Sequence, residues 1–180
     1  MLKGTEIGSY APDFELPGID GTVHHLARYL ETSAAVVVVF LGNDCPQVQA
    51  YLDRLKQLQA EFAEAQVSVI SINPNETSQH PEESIENMGI FRATHELNFP
   101  YIRDVTQEVV KCFGAQVTPE AFVLDGEGVL RYRGAIDDNP EDAEAVGTPY
   151  LQQAIAQLLA GESIEISQTE AVGCPIKWKS

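Results

Sequence analysis

The sequence predicts an α/β three-layer sandwich, a central mixed sheet flanked by helices. Three observations carry that expectation. Ala35 to Leu41 is a continuous, mostly β-branched apolar run and Val67 to Ile72 a second one, the pattern of strands covered on both faces. A segment with apolar residues at helical spacing follows each strand. A β-hairpin and a last amphipathic helix close the chain, an order of elements that places helices on the faces of a sheet. At 180 residues the chain is most simply one domain, residues 1–180, long enough to bury a sizeable core.

The elements follow in order. Asp13 to Leu16 and Gly21 to His24 read as short strands around the turn Pro17-Gly18-Ile19-Asp20-Gly21. After the first buried strand, Val48, Tyr51, Leu52, Leu55, Leu58 and Phe62 give a helix one apolar face. Pro81 to about Leu97 reads as a second helix, weakened at Gly89. Thr106 to Phe113 is a shorter helix closed by Gly114, which suits a C-terminal cap. Ala121 to Asp125 and Val129 to Tyr132 form a hairpin with Gly126-Glu127-Gly128 as its turn. Asp137 to Gly147 is the longest loop, and its acidic run Glu141-Asp142-Ala143-Glu144 reads as a solvated face. Thr148 to Leu159 is the last helix, stopped at Gly161. The tail, residues 164–180, is polar, ends AVGCPIKWKS and is expected to dock on the domain.

Composition narrows the function. The 27 acidic against 11 basic side chains leave a net charge of −16, which repels nucleic acid and anionic membrane, so neither is an expected partner. The opening MLKGTEIGSYAPDFEL has no apolar run like that of a secretory leader, and a cytoplasmic, reducing location is the expectation. Three cysteines without a C-x-x-C pair are not a disulfide framework. The four histidines, His24, His25, His80 and His95, have no ligand-like spacing to them, and none is placed as a base. No metal or organic cofactor is implied.

Cys45 is the strongest chemical candidate. It falls at the N-cap of the helix after the first buried strand, with Pro46 at N1, where a missing N–H costs nothing. Unpaired amides and the dipole of a helix start stabilise a thiolate, and lower a thiol pKa from about 8.5 by one to several units. Asp44 opposes this by like-charge repulsion. The plain alternative is a small buried residue that caps a helix. Val117-Thr118-Pro119 is a second feature. A cis bond at Pro119 would leave the backbone of Thr118 free to bind an extended partner chain, whereas an ordinary edge proline would do nothing of the kind.

These residues resemble a known family. The opening Gly8-Ser9-Tyr10-Ala11-Pro12-Asp13-Phe14 is similar to the start of peroxiredoxins and related redoxins. Thr118-Pro119 with Phe122-Val123-Leu124-Asp125 resembles the segment of thioredoxin-like proteins in which a cis proline faces the thiol. Tyr132-Arg133-Gly134, Ile136-Asp137-Asp138 and the ending Gly173-Cys174 with Ile176-Lys177-Trp178 are similar to a thioredoxin-like subgroup that usually reads C-N-x-C-P at the helix start. The resemblance is to a thioredoxin-fold redoxin of the alkyl hydroperoxide reductase/thiol-specific antioxidant type. It implies a thioredoxin-like sandwich and a peroxide, or a thiol or disulfide protein, as the reaction partner. The reductant it implies is a thioredoxin or a low-molecular-weight thiol.

The departures are as informative. Gly42 stands where a thioredoxin has its attacking cysteine, and Val36 where it has a buried acid. In the peroxiredoxin pattern the cysteine is Cys45, but the proline, threonine and arginine of the peroxide site fall on Val38, Gly42 and Pro119. If the tail folds over the helix start, Cys174 can attack an oxidised or mixed-disulfide Cys45 and act as a resolving thiol; otherwise it merely packs under the tail. Cys112, beside Val109, Val110 and Phe113, reads as core. Two readings follow. One is a thiol oxidoreductase with Cys45 and Cys174 catalytic and Gly42, Asn43, Asp44, Thr118 and Pro119 binding substrate. The other is a non-catalytic binding or redox-sensing module that has lost the first cysteine.

Overall fold

The computed structural model describes residues 4–180. A five-stranded sheet in the order β5-β4-β3-β7-β8 forms the middle layer. It comprises β3 (Ala35–Phe40), β4 (Val67–Asn73), β5 (Tyr101–Arg103), β7 (Glu120–Asp125) and β8 (Leu130–Gly134). β3 runs parallel to β4 and antiparallel to β7, so it is paired along both edges and lies at the centre of the sheet. Every residue of β3 is buried, because side chains alternate between two covered faces.

That alternation divides the core. Val37 and Val39 face a layer in which α2 (Pro46–Phe62), α3 (Ile85–His95) and α5 (Tyr150–Leu159) contribute Leu52, Leu55, Met88, Phe91, Leu151 and Ile155. Val36, Val38 and Phe40 face the other layer, with Leu26 of α1 (Leu26–Thr32), Val110 and Phe113 of α4 (Glu108–Phe113), and Ile176 of the tail. Phe40, Phe113 and Phe122 meet there edge to face, with centroids 5.2 to 5.7 Å apart.

Smaller sheets complete the fold. β1 (Glu15–Pro17) and β2 (Val23–His25) form the expected antiparallel hairpin. β6 (Val117–Thr118) pairs antiparallel with β9 (Cys174–Pro175), which puts the end of the chain beside the start of β7. On the way there, the tail runs along the outer strand β8. The Arg133 amide donates to Ser167 O at 3.0 Å, the Thr169 amide to Arg133 O at 3.1 Å, and the Ala135 amide to Thr169 Oγ1 at 2.9 Å. An exposed row of strand edge groups is covered in this way.

Several elements differ from the sequence reading. The helix expected from Pro81 to about Leu97 is a 3₁₀ turn, Pro81–Glu83, followed by α3. Ser84 separates them, because its Oγ accepts the Asn87 amide at 3.1 Å and so fixes the true N-cap. α1 and β5 are absent from that reading, since a seven-residue helix and a three-residue strand carry too little periodicity to be read. The short helix starts at Glu108 rather than Thr106. Cys112 is exposed rather than part of the core, because α4 buries the stripe of Val110 and Phe113 and position 112 falls outside it.

Candidate functional site

The site begins where β3 ends. Leu41 extends the strand by donating its amide to Ile72 O at 2.9 Å, and the chain then turns through Gly42-Asn43-Asp44 to α2. Cys45 has extended backbone, φ −153° and ψ 117°, and is the N-cap; Pro46 is N1, and the Cys45 carbonyl accepts the Gln49 amide at 3.1 Å. The local sequence dictates this geometry: proline fits the first helical turn and disfavours helical backbone at the residue before it. Cys45 is 1% exposed.

Two further segments meet its sulfur. The Thr118–Pro119 peptide bond is cis, and Thr118 O lies 3.5 Å from Cys45 Sγ. Cys174 is disulfide-bonded to Cys45 across 129 residues of sequence, with Cα atoms 6.1 Å apart. Cys45 is thus buried and Cys174 half-buried. Gln47 Oε1 lies 3.2 Å from Cys174 Sγ and 3.5 Å from Cys45 Sγ. In the disulfide neither sulfur carries a proton; after reduction, a protonated thiol has this carbonyl as an acceptor.

The loop rests on a buried acid that sequence reading missed. Glu83, 1% exposed, accepts the Asn43 amide at 2.7 Å and Asn73 Nδ2 at 3.1 Å on one oxygen, and Lys177 Nζ at 2.8 Å on the other. Tyr101 donates to Asn43 Oδ1 at 2.8 Å, which fixes the loop's side chain as well. Burial pushes the Glu83 carboxyl up, but the hydrogen bonds from Lys177, Asn43 and Asn73 and the ammonium charge outweigh it and hold the group below its ordinary value. For Lys177, burial lowers the ammonium, but hydrogen bonds to Glu83 and Glu82 and their charges raise it above the usual lysine range. Glu83 ends the three-residue 3₁₀ turn before α3, which is too short for a periodic pattern to mark it; the local signal is the Ser84 cap.

The position of the missing sulfur is filled. A Cβ on Gly42 would sit 2.6 Å from Asn75 Nδ2 and 3.5 Å from Glu83 Oε1 and Thr118 Oγ1. Asn75, 3% exposed, takes that space, and its Oδ1 accepts the Lys177 amide of the tail at 2.9 Å. The sequence-predicted residues Gly42, Asn43, Cys45, Thr118, Pro119 and Cys174 therefore converge on one place. Asp44 adjoins them but points outward, with 70% of its side chain exposed and an oxygen 4.0 Å from Lys177 Nζ. One expectation changes. Thr118 is 1% exposed, and its backbone pairs with Cys174 instead of standing free, because the protein's own tail lies in the groove.

A mixed sheet that presents a cysteine at a helix start, against a cis proline, is the thioredoxin-like arrangement. The sequence comparisons agree: the AhpC/TSA family model matches residues 7–133, and the chain belongs to that family. The thiol-disulfide oxidoreductase ResA of Geobacillus thermodenitrificans is 26% identical over 125 residues, 69% of this chain and 67% of that protein. Among solved structures, the hypothetical protein SMc02350 of Sinorhizobium meliloti 1021 is 33% identical with a TM-score of 0.91, over 99% of this chain and 97% of that one. The peroxidoxin BcpB of Mycobacterium tuberculosis has a TM-score of 0.63 at 21% identity, over 87% of this chain and 95% of that one, and shows the fold alone.

Proposed function

We propose that the protein is a thiol-based oxidoreductase in which Cys45 meets the oxidant and Cys174 resolves the product. The observation that carries this reading is the bond between Cys45, at a helix start beside a cis proline, and Cys174, from the far end of the chain. In the reduced protein the helix start favours the Cys45 thiolate. With a peroxide, the thiolate attacks one oxygen; an S–O bond forms, the O–O bond breaks, and the departing oxygen takes up a proton. The Cys174 thiolate then attacks Cys45 Sγ; an S–S bond forms, the S–O bond breaks, and the departing hydroxide takes up a proton and leaves as water. With a disulfide substrate, the Cys45 thiolate attacks one sulfur, the substrate S–S bond breaks and one substrate thiolate leaves; Cys174 then attacks Cys45 Sγ of the mixed disulfide and displaces the second.

A thioredoxin or a low-molecular-weight thiol reopens the bond. Cys174 is the more exposed sulfur and so the point of attack, with Cys45 leaving as the thiolate. A cytoplasmic setting with such a reductant suits a bond that must be reopened, and with peroxide as substrate the activity would be antioxidant. The second reading, a redox-sensing module, is favoured by Asn75 in the place of a first sulfur and by a groove already filled.

Intact mass with thiol alkylation on reduced protein, before and after stoichiometric hydrogen peroxide or oxidised glutathione, tests the proposal. Loss of two hydrogens mapped to Cys45–Cys174, repeated when excess dithiothreitol and oxidant are supplied together, is the expected result. A Cys45 thiol that survives both oxidants sinks it; a pair that forms without sustained turnover favours the sensor.

A further inference from the structure

Resting on that reading, we propose that residues 173–179 act as an internal pseudosubstrate, which stays seated when the disulfide opens. It closes the Thr118 groove to chain-like partners and confines Cys45 to small oxidants, hydroperoxides and low-molecular-weight disulfides. The tail lies as a bound peptide would. Its Cys174 pairs antiparallel with Thr118, its Pro175 with Val117, and the Ile176 amide donates to Gln116 O at 3.2 Å. Gly173 crosses so close to the Thr118 carbonyl and Pro119 that any Cβ there would collide with them. Main-chain pairing at a strand edge, with one side chain placed on the reactive group, is how an extended chain is recognised.

The disulfide is one of many attachments. Ile176 is 4% exposed in the core layer of Phe113 and Phe14. The Lys177 amide donates to Asn75 Oδ1 at 2.9 Å, and the Lys177 carbonyl accepts the Glu76 amide at 2.8 Å and Gln107 Nε2 at 3.0 Å. Lys177 Nζ binds Glu83, which also holds the loop before Cys45. The Lys179 amide donates to Gln107 Oε1 at 3.0 Å. None of these bonds needs the sulfurs. Reduction therefore breaks one link and leaves the anchors, and a polypeptide cannot enter a groove whose edge is already paired. A small molecule faces no such requirement.

The test uses the full-length reduced protein with two substitutions that loosen the tail and keep both sulfurs, Ile176→Ser and Gly173→Ala. Consumption of the Cys45 thiol is followed with hydrogen peroxide and, separately, with insulin as a protein disulfide. The ratio of the insulin to the peroxide rate constant is expected to rise by about tenfold or more in both variants, the effect of removing a steric competitor held by a buried anchor. Gly89→Ala, whose added methyl meets open space on α3, should keep the wild-type ratio. An unchanged ratio with peroxide still consumed overturns the pseudosubstrate and spares the oxidoreductase. No consumption of Cys45 by either oxidant in any of the chains overturns both. Should either loosened variant fail to fold, the other carries the comparison.

Discussion

Cys45 and Cys174 arrive at one bond from regions held in different ways. Cys45 is placed by its neighbours in sequence: a buried strand, a three-residue turn, a proline at N1 and seventeen residues of helix behind it. Cys174 lies in a two-residue strand with no local structure to hold it, and everything that fixes it is remote. Cys174 pairs with Thr118, and the Ile176 and Lys177 that follow it reach to Gln116, Asn75, Glu76, Gln107 and Glu83. The contrast teaches where adaptability lies. The helix start is set by residues next to it in sequence, whereas a tail held by a set of separable contacts can be tuned by any of them.

The largest way to break this comparison is to remove the sulfur at the rigid end. Cys45→Ser should reduce peroxide and disulfide turnover to background, measured as reductant consumed in a coupled assay. Removing the other sulfur should act differently. Cys174→Ser should trap an adduct on Cys45, visible by intact mass as a sulfenic acid or glutathione conjugate, and should lose the cross-link. Because the bond closes a loop of 129 residues, chain entropy limits its stabilisation to about 4–5 kcal/mol, read from urea midpoints of oxidised and reduced protein.

Weakening the anchor tests the tail without touching chemistry. Ile176→Ala should cost about 2–4 kcal/mol of tail docking in the reduced protein. Trp178, the only tryptophan, lies in the tail at 39% exposure with Lys111 Nζ 6.0 Å from its ring, and its fluorescence should report the release. The same signal should follow pH. Glu83 is held below 4.5, so its contribution is complete above that value and is lost as pH falls through its folded pKa. Lys177 is held above 10.5, so its contribution is complete below that value and is lost as pH rises past it. The reduced protein should show a flat signal between these limits, and Lys177→Met should weaken docking within them.

The smallest effect concerns the place of the missing sulfur, which Asn75 fills. Gly42→Ala should destabilise by about 1–3 kcal/mol, since its methyl meets the Asn75 amide, and the cost should fall when Asn75→Ala is combined with it. Additive costs in thermal unfolding would show that Asn75 does not fill that space.

Much of this was legible beforehand. The β-branched run of β3 is hydrophobic on both faces, so only a central strand could bury it, and Cys45-Pro46 after a turn could only open a helix. The 3.6-residue spacing from Val48 to Phe62 fixed the face that α2 lays on the sheet. These features depend on residues a few positions apart, and local sterics and solvent exclusion decide them. Glu83, the tail's place on β6 and the outward turn of Cys112 depend on pairs more distant in the chain. Glu83 and Asn43 are 40 residues apart, and Lys177 and Asn75 are 102. Sequence determined a thiol at a helix start facing a Thr-Pro segment. Only the tertiary structure decided that the chain's own end lies in that groove, because an extended segment with no core of its own takes its conformation from the surfaces that bind it.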